Sequence, residues 1–207
     1  MKRLVLLVAA SLFAVTASSQ IYVKLNALYA AVGVVNPSLE AVVTPNSSLA
    51  VDITYSPWRS IRGHHAHFGI FLGEYRYYFK QAAKGWYVSG NVGLTAFDIS
   101  KPTIKNGHLA IKSGYGKGFG IMAGVGAGYQ HTFRERWVVD AFIAVDFIGS
   151  WYNGYAQNGE IIMNPHGHED YVHPDPFNGS GEFLPAKIGV SIGYRIFKPK
   201  GSKGKKG

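Results

Sequence analysis

Along most of the chain the apolar residues fall on every second position. In the stretch 188–196, Ile188, Val190, Ile192, Tyr194 and Ile196 alternate with Gly189, Ser191, Gly193 and Arg195. In an extended strand these sets project to opposite faces, one apolar, the other small or charged. The stretch 137–148 repeats the pattern, with Val139, Ala141, Ile143, Val145 and Phe147 against Asp140, Phe142, Ala144 and Asp146. In 118–133, Ile121, Ala123, Val125, Ala127 and Tyr129 alternate with a face made largely of glycine. The same period runs through 86–97, 66–79, 48–55, 39–44 and 21–32. Helical periodicity is missing, and after residue 20 no apolar run is long enough for a membrane helix.

Eight alternating segments of about ten residues predict an all-β fold, an eight-stranded antiparallel up-and-down transmembrane β-barrel. Where helices are absent, only a closed barrel satisfies every backbone group in lipid. The connections alternate in length. Those at 45–47, 81–84 and 134–136 are short, whereas 56–65, 98–117 and 153–184 are long, and 33–38 is brief. This asymmetry predicts short periplasmic turns and long extracellular loops in the outer membrane of a Gram-negative bacterium. Aromatic residues gather at the segment ends: Tyr77, Phe79, Trp86, Phe133, Trp137, Tyr194 and Phe197 by the short turns, and Tyr55, Trp58, Phe97, Phe119, Trp151 and Tyr152 by the long loops. Two such belts are expected at the headgroup levels.

The chain ends read differently. Lys2 and Arg3 precede an uncharged, mostly apolar stretch at 4–17 and then Ala17-Ser18-Ser19. That is a signal-peptide pattern, predicting cleavage after Ser19 and assigning 1–19 to the signal peptide, 20–197 to the barrel and 198–207 to a flexible basic tail. Removing Lys2 and Arg3 lowers the formal charge from +9 to +7, and the five lysines of the tail carry all but +2 of the remainder. The body therefore lacks the basic stripe that nucleic acid requires. The absence of cysteine excludes a disulfide scaffold and thiolate metal sites.

The inward-facing positions hold Lys24, Arg76 and Arg195 with Glu40, Asp52, Glu74, Asp140 and Asp146. An eight-stranded interior is just wide enough for side chains to fill. Charges there must pair, since an isolated buried charge is very costly. These eight residues are expected to form a polar network that plugs the lumen. A carboxylate-lined ion path is the alternative use of the same set.

Three further constellations invite chemistry. The loop 164–175 carries His166, His168, His173 and Asp175, imidazole and carboxylate donors suited to a divalent metal such as zinc; a second cluster, His64, His65 and His67, lies beside a neighbouring long loop. Lipid-modifying barrels, including lipid A deacylase-like enzymes, need a Ser–His–acid set near the membrane face. Among Ser56, Ser60, Ser100, Ser113 and Ser150, Ser60 with His64 or His65 is the best pair, and it lacks an evident acid. No G-x-S-x-G elbow occurs, and the glycines at 114–120 lack the Gly-Lys-Ser/Thr opening a helix that a phosphate loop requires.

In 23–29, in 52–58, in Glu74-Tyr75-Arg76-Tyr77-Tyr78-Phe79, in Gly128-Tyr129-Gln130 with Arg134-Glu135-Arg136-Trp137, and in 187–191, the chain resembles OmpA-like eight-stranded outer-membrane barrels. More narrowly, it resembles the domain of unknown function family 3575. The resemblance implies an outer-membrane barrel of unassigned activity, often encoded beside fimbrial surface components, and supplies no catalytic residues. It also implies a terminal aromatic read by the barrel-insertion machinery; here the tail runs on past Phe197. The expected function is a non-enzymatic structural or surface-interaction role. No cofactor is expected, and the expected partners are outer-membrane lipid, the insertion machinery and surface-assembly proteins, around a monomer.

Overall fold

The computed structural model describes residues 20–105, 108–111, 114–163 and 181–197. The chain orders as β1 (Ile21–Asn26), α1 (Ala27–Ala31), β2 (Pro37–Thr44), β3 (Ser47–Ile61), β4 (His64–Tyr78), β5 (Gly85–Ile99), β6 (Pro102–Lys105), β7 (His108–Ile111), β8 (Tyr115–Phe133), β9 (Trp137–Tyr155), β10 (Ile161–Met163) and β11 (Gly181–Phe197). Eight of these are staves. In the order β1-β2-β3-β4-β5-β8-β9-β11 each pairs antiparallel with the next, and β11 returns to pair with β1, closing the ring. The hairpin β6–β7 and the short β10 belong to the connections above one rim. No described helix is long and apolar enough to cross a membrane.

The alternation in the sequence maps onto the wall. Leu49, Val51 and Ile53 of β3, Val92 and Leu94 of β5, Ile121 and Val125 of β8, and Ile143, Val145 and Phe147 of β9 all face outward and are exposed. The side chains between them face a polar, buried interior. This is the reverse of a soluble barrel, where the apolar face is inside.

Three elements differ from the sequence expectation. The stretch 21–32 is not one strand: β1 stops at Asn26, whose side chain accepts hydrogen bonds from the backbone N–H groups of Leu28 and Tyr29 and so caps the one-turn helix α1. The expected long loop 56–65 is instead a strand extension, because β3 and β4 continue pairing until Ile61 faces His64 across Arg62-Gly63. Both turn residues adopt positive φ, 51° and 82°, as a two-residue hairpin turn demands. Strands β8 and β9 likewise run 19 residues each and pair along their whole length, so the ends of the expected loops 98–117 and 153–184 are wall.

The short-turn end is closed from within. Ala82 and Ala83 of the β4–β5 connection are buried, and Ala82 and Tyr78 donate backbone hydrogen bonds to the carbonyls of Pro45 and Asn46 in the next turn. Tyr78, Tyr87 and Phe142 pack with Ala82, while Tyr22 and Val138 pack with Ala83. These small clusters form the floor on which the charged interior rests.

Candidate functional site

The interior is an ordered ladder of charges. Lys187 of β11 donates to Asp52 at 2.8 Å and to Glu74 at 2.7 Å. Arg76 donates to Glu74 at 2.8 Å and to Asp140 at 2.7 Å. Lys24 donates to Asp140 at 2.8 Å and pairs with Glu40. Read across the lumen the order is Asp52, Lys187, Glu74, Arg76, Asp140, Lys24, Glu40, alternating in sign with a carboxylate at each end. Six staves supply it, so no local stretch of sequence holds a complete pair except Glu74 and Arg76, which stand two apart on one face of β4.

Neutral groups complete the ladder. Tyr78 donates to Glu40 at 2.7 Å, Ser48 also bonds Glu40, and Tyr87 donates to Asp140 at 2.9 Å. Gln130 accepts from Lys24 at 2.8 Å. Arg76 lies over the Tyr87 ring and Lys187 over the Phe142 ring, each 4.8 Å from the centroid. Aromatic faces thus cover cation surface that carboxylates leave open. Each lone pair or proton satisfied here offsets part of the cost of taking the ions out of water.

Of the eight interior residues read from the sequence, the structure brings Lys24, Glu40, Asp52, Glu74, Arg76 and Asp140 into this ladder. Asp146 is buried but stands apart: it accepts from Asn91 at 3.1 Å, and no cation bridges it among the described residues. Arg195 lies at the short-turn end of β11, only partly buried, donating to Gln20 at 3.2 Å, away from the ladder. The residue that sequence reading missed is Lys187. It shares parity with Gly189, Ser191 and Gly193, the inward set of β11. It stands one position before the stretch 188–196 in which the alternation is read, just past a bulge between Leu184 and Lys187. With Lys187 counted, three buried cations face five buried carboxylates among the described residues.

Two residues of the expected long-loop aromatic belt also point inward. Phe97 and Tyr152 are buried and pack with ring centroids 6.1 Å apart, roofing the interior. Their parity with Tyr87 and with Asp140 places them there. Phe119 and Trp151 do face outward and stack at 5.4 Å.

At the long-loop rim the His65 ring nitrogen Nδ1 meets Asp98 Oδ1 at 2.6 Å, and the ring stacks on Tyr115 at 3.9 Å. Asp98 is the acid partner that the sequence did not reveal. A nucleophile is not aligned with this dyad: Ser60 is exposed near the hairpin tip, and Ser100 receives the backbone N–H of His65 at 3.1 Å. Ser56 donates to the Ala66 carbonyl at 2.6 Å. Among the described residues no serine hydroxyl bonds a histidine ring. His67 meets the Tyr55 hydroxyl at 3.3 Å. The metal candidates His166, His168, His173 and Asp175 lie outside the described residues, as do Ser113, the signal-peptide stretch 1–19 and the tail 198–207.

The model of the family described as "Protein of unknown function (DUF3575)" matches residues 3–196, and the chain belongs to that family. Among solved structures it is similar to the N-terminal β-barrel domain of Pseudomonas aeruginosa OprF, at 15% identity and a TM-score of 0.37, over 86% of this chain and 97% of that one. No curated protein matches the chain.

Proposed function

We propose that this family member is an outer-membrane β-barrel of a Gram-negative bacterium with a structural or surface-interaction role and no chemistry of its own. The observation that carries this reading is the inverted polarity of the wall, with an apolar exterior and an ionic interior. Exposed apolar area on this scale is far beyond what a soluble monomer presents. The dimensions agree. From Trp137 to Trp151 on β9, fourteen residues at about 3.3 Å each, tilted roughly 40°, span about 35 Å along the axis. That distance brackets a hydrocarbon layer of about 25–30 Å with an aromatic ring at each interface.

In this reading the short turns, Gln20 and Phe197 face the periplasm, and the hairpin β3–β4, the β6–β7 hairpin and β10 face outward. The ladder holds eight staves together and leaves no open ion path, so the barrel serves as an anchor that presents loops. Support of a fimbrial or other surface assembly is the form of that role we favour, with crosslinking on intact cells as its test.

The absence of native cysteine makes orientation directly testable. Arg62→Cys, at the β3–β4 tip, is expected to react with a membrane-impermeant maleimide on intact cells; Arg134→Cys, in the β8–β9 turn, is expected to react only after lysis. The reverse pattern, or recovery of the mature chain as a soluble monomer without detergent, overturns the proposal.

A further inference from the structure

Outside the wall, at the short-turn rim, the β4–β5 connection builds a cleft. Because Ala82 and Ala83 are drawn into the barrel, with Ala83 at φ 61°, the flanking Lys80 and Lys84 are thrown outward and exposed. They line the cleft together with Trp86, Tyr129, Ala127 and His131. Trp86 and Tyr129 meet edge to face at 5.1 Å. The cleft encloses about 710 Å³, within the range of small-molecule sites.

Its chemistry is polarised. The lining holds two lysines and a histidine and no carboxylate. Neither lysine forms an ion pair among the described residues, although Glu135 lies in the neighbouring turn with Arg134 and Arg136. The lower wall is apolar and continues into the outward face, where Val88 pairs with Ala127 and the next outward position, Gly90, has open space: a Cβ there would meet nothing within 4 Å. The site therefore complements a molecule that is anionic at one end, apolar at the other, and arrives from the lipid side.

We infer that this cleft binds one anionic glycerophospholipid, its phosphate between Lys80 and Lys84 and an acyl chain laid past Ala127 along Gly90. The inference rests on the membrane reading above and goes beyond it: the lipid is a fixed ligand, not part of the general annulus. The aromatic lining orients the glycerol region, and the lysines select the charge.

Native mass spectrometry of the folded barrel released from micelles tests this, with dioleoyl phosphatidylglycerol titrated against phosphatidylcholine. One phosphatidylglycerol is expected to be retained with a preference on the order of tenfold, as two nearby lysines supply. Lys80→Ala/Lys84→Ala abolishes that preference, and Ala127→Trp, which fills the cleft and keeps both lysines, abolishes retention. The Arg134→Ala/Arg136→Ala control on the adjacent turn retains it. Equal binding by wild type and the lysine double variant shows annular lipid only and overturns the inference. Displacement by millimolar inorganic phosphate shows a free-anion site and also overturns it. A wild-type chain with no heat-modifiable folded form in micelles overturns the membrane reading and this inference with it; a folded barrel lacking the preference overturns the inference alone.

Discussion

Replacing Lys187 with methionine removes the cation between Asp52 and Glu74 while keeping most of the side-chain volume. The two partners are not left equal. Glu74 retains Arg76 at 2.8 Å, whereas Lys187 is the cation paired with Asp52. The variant therefore strands one carboxylate in an interior where Asp52 is only 4% exposed. Breaking a buried pair from one side costs about 3–5 kcal/mol. The expected destabilisation is thus about 3–5 kcal/mol. The double variant Lys187→Met/Asp52→Asn recovers most of the loss, since the stranded charge is gone. Urea unfolding in lipid vesicles, followed by tryptophan fluorescence and by heat-modifiable migration, measures all three. A loss below about 1 kcal/mol, or a double variant no more stable than Lys187→Met alone, refutes the reasoning that Lys187 holds the charge balance of that end of the ladder.

Asp146→Asn should be neutral or stabilising by up to about 1 kcal/mol in the same assay, because among the described residues no cation bridges Asp146 and the interior carries excess carboxylate; a loss above about 2 kcal/mol contradicts this. Gly128→Ala should destabilise by about 1–3 kcal/mol, since its Cβ would lie 2.5 Å from the Tyr87 ring, which is fixed by Asp140. Arg62→Asn should raise stability by up to about 1 kcal/mol, as asparagine tolerates the positive φ of the β3–β4 turn better than arginine. Planar-bilayer recording of the wild-type barrel should show no steady conductance, with Tyr78, Tyr87 and Phe142 filling the lower lumen; sustained open-channel current refutes a sealed interior.

Much of the wall was legible because its signal is a parity, and parity survives wherever pairing is regular. Asp140 and Asp146, six positions apart, fall on one face of β9 by counting alone. The failures mark where something resets the count. Asn26 ends β1 by binding backbone N–H groups, a capping event that competes with an otherwise continuous alternation. Lys187 keeps the parity of Gly189, Ser191 and Gly193 but stands one position outside the stretch 188–196 in which that alternation is read, next to a bulge that breaks the pattern on its other side. Pairing partners across the lumen were not legible at all: Lys187 and Asp52 are 135 residues apart, and strand order fixes their meeting only after the ring closes. The His65–Asp98 dyad was obscured in the same way, by a register between β4 and β5 that places the acid near the histidine at the rim.

The first stave is the shortest. β1 spans six residues, with a register shift against β11 at Ile21, while β8 and β9 zip together along all 19. The circumference is consequently least reinforced around β1, which pairs with β2 at five positions and with β11 at six. A cylinder built this way has its weakest edges on either side of this one stave. Lys24, the one charged residue of β1, reaches from that stave to Asp140 on β9 and Glu40 on β2, and so acts as the latch.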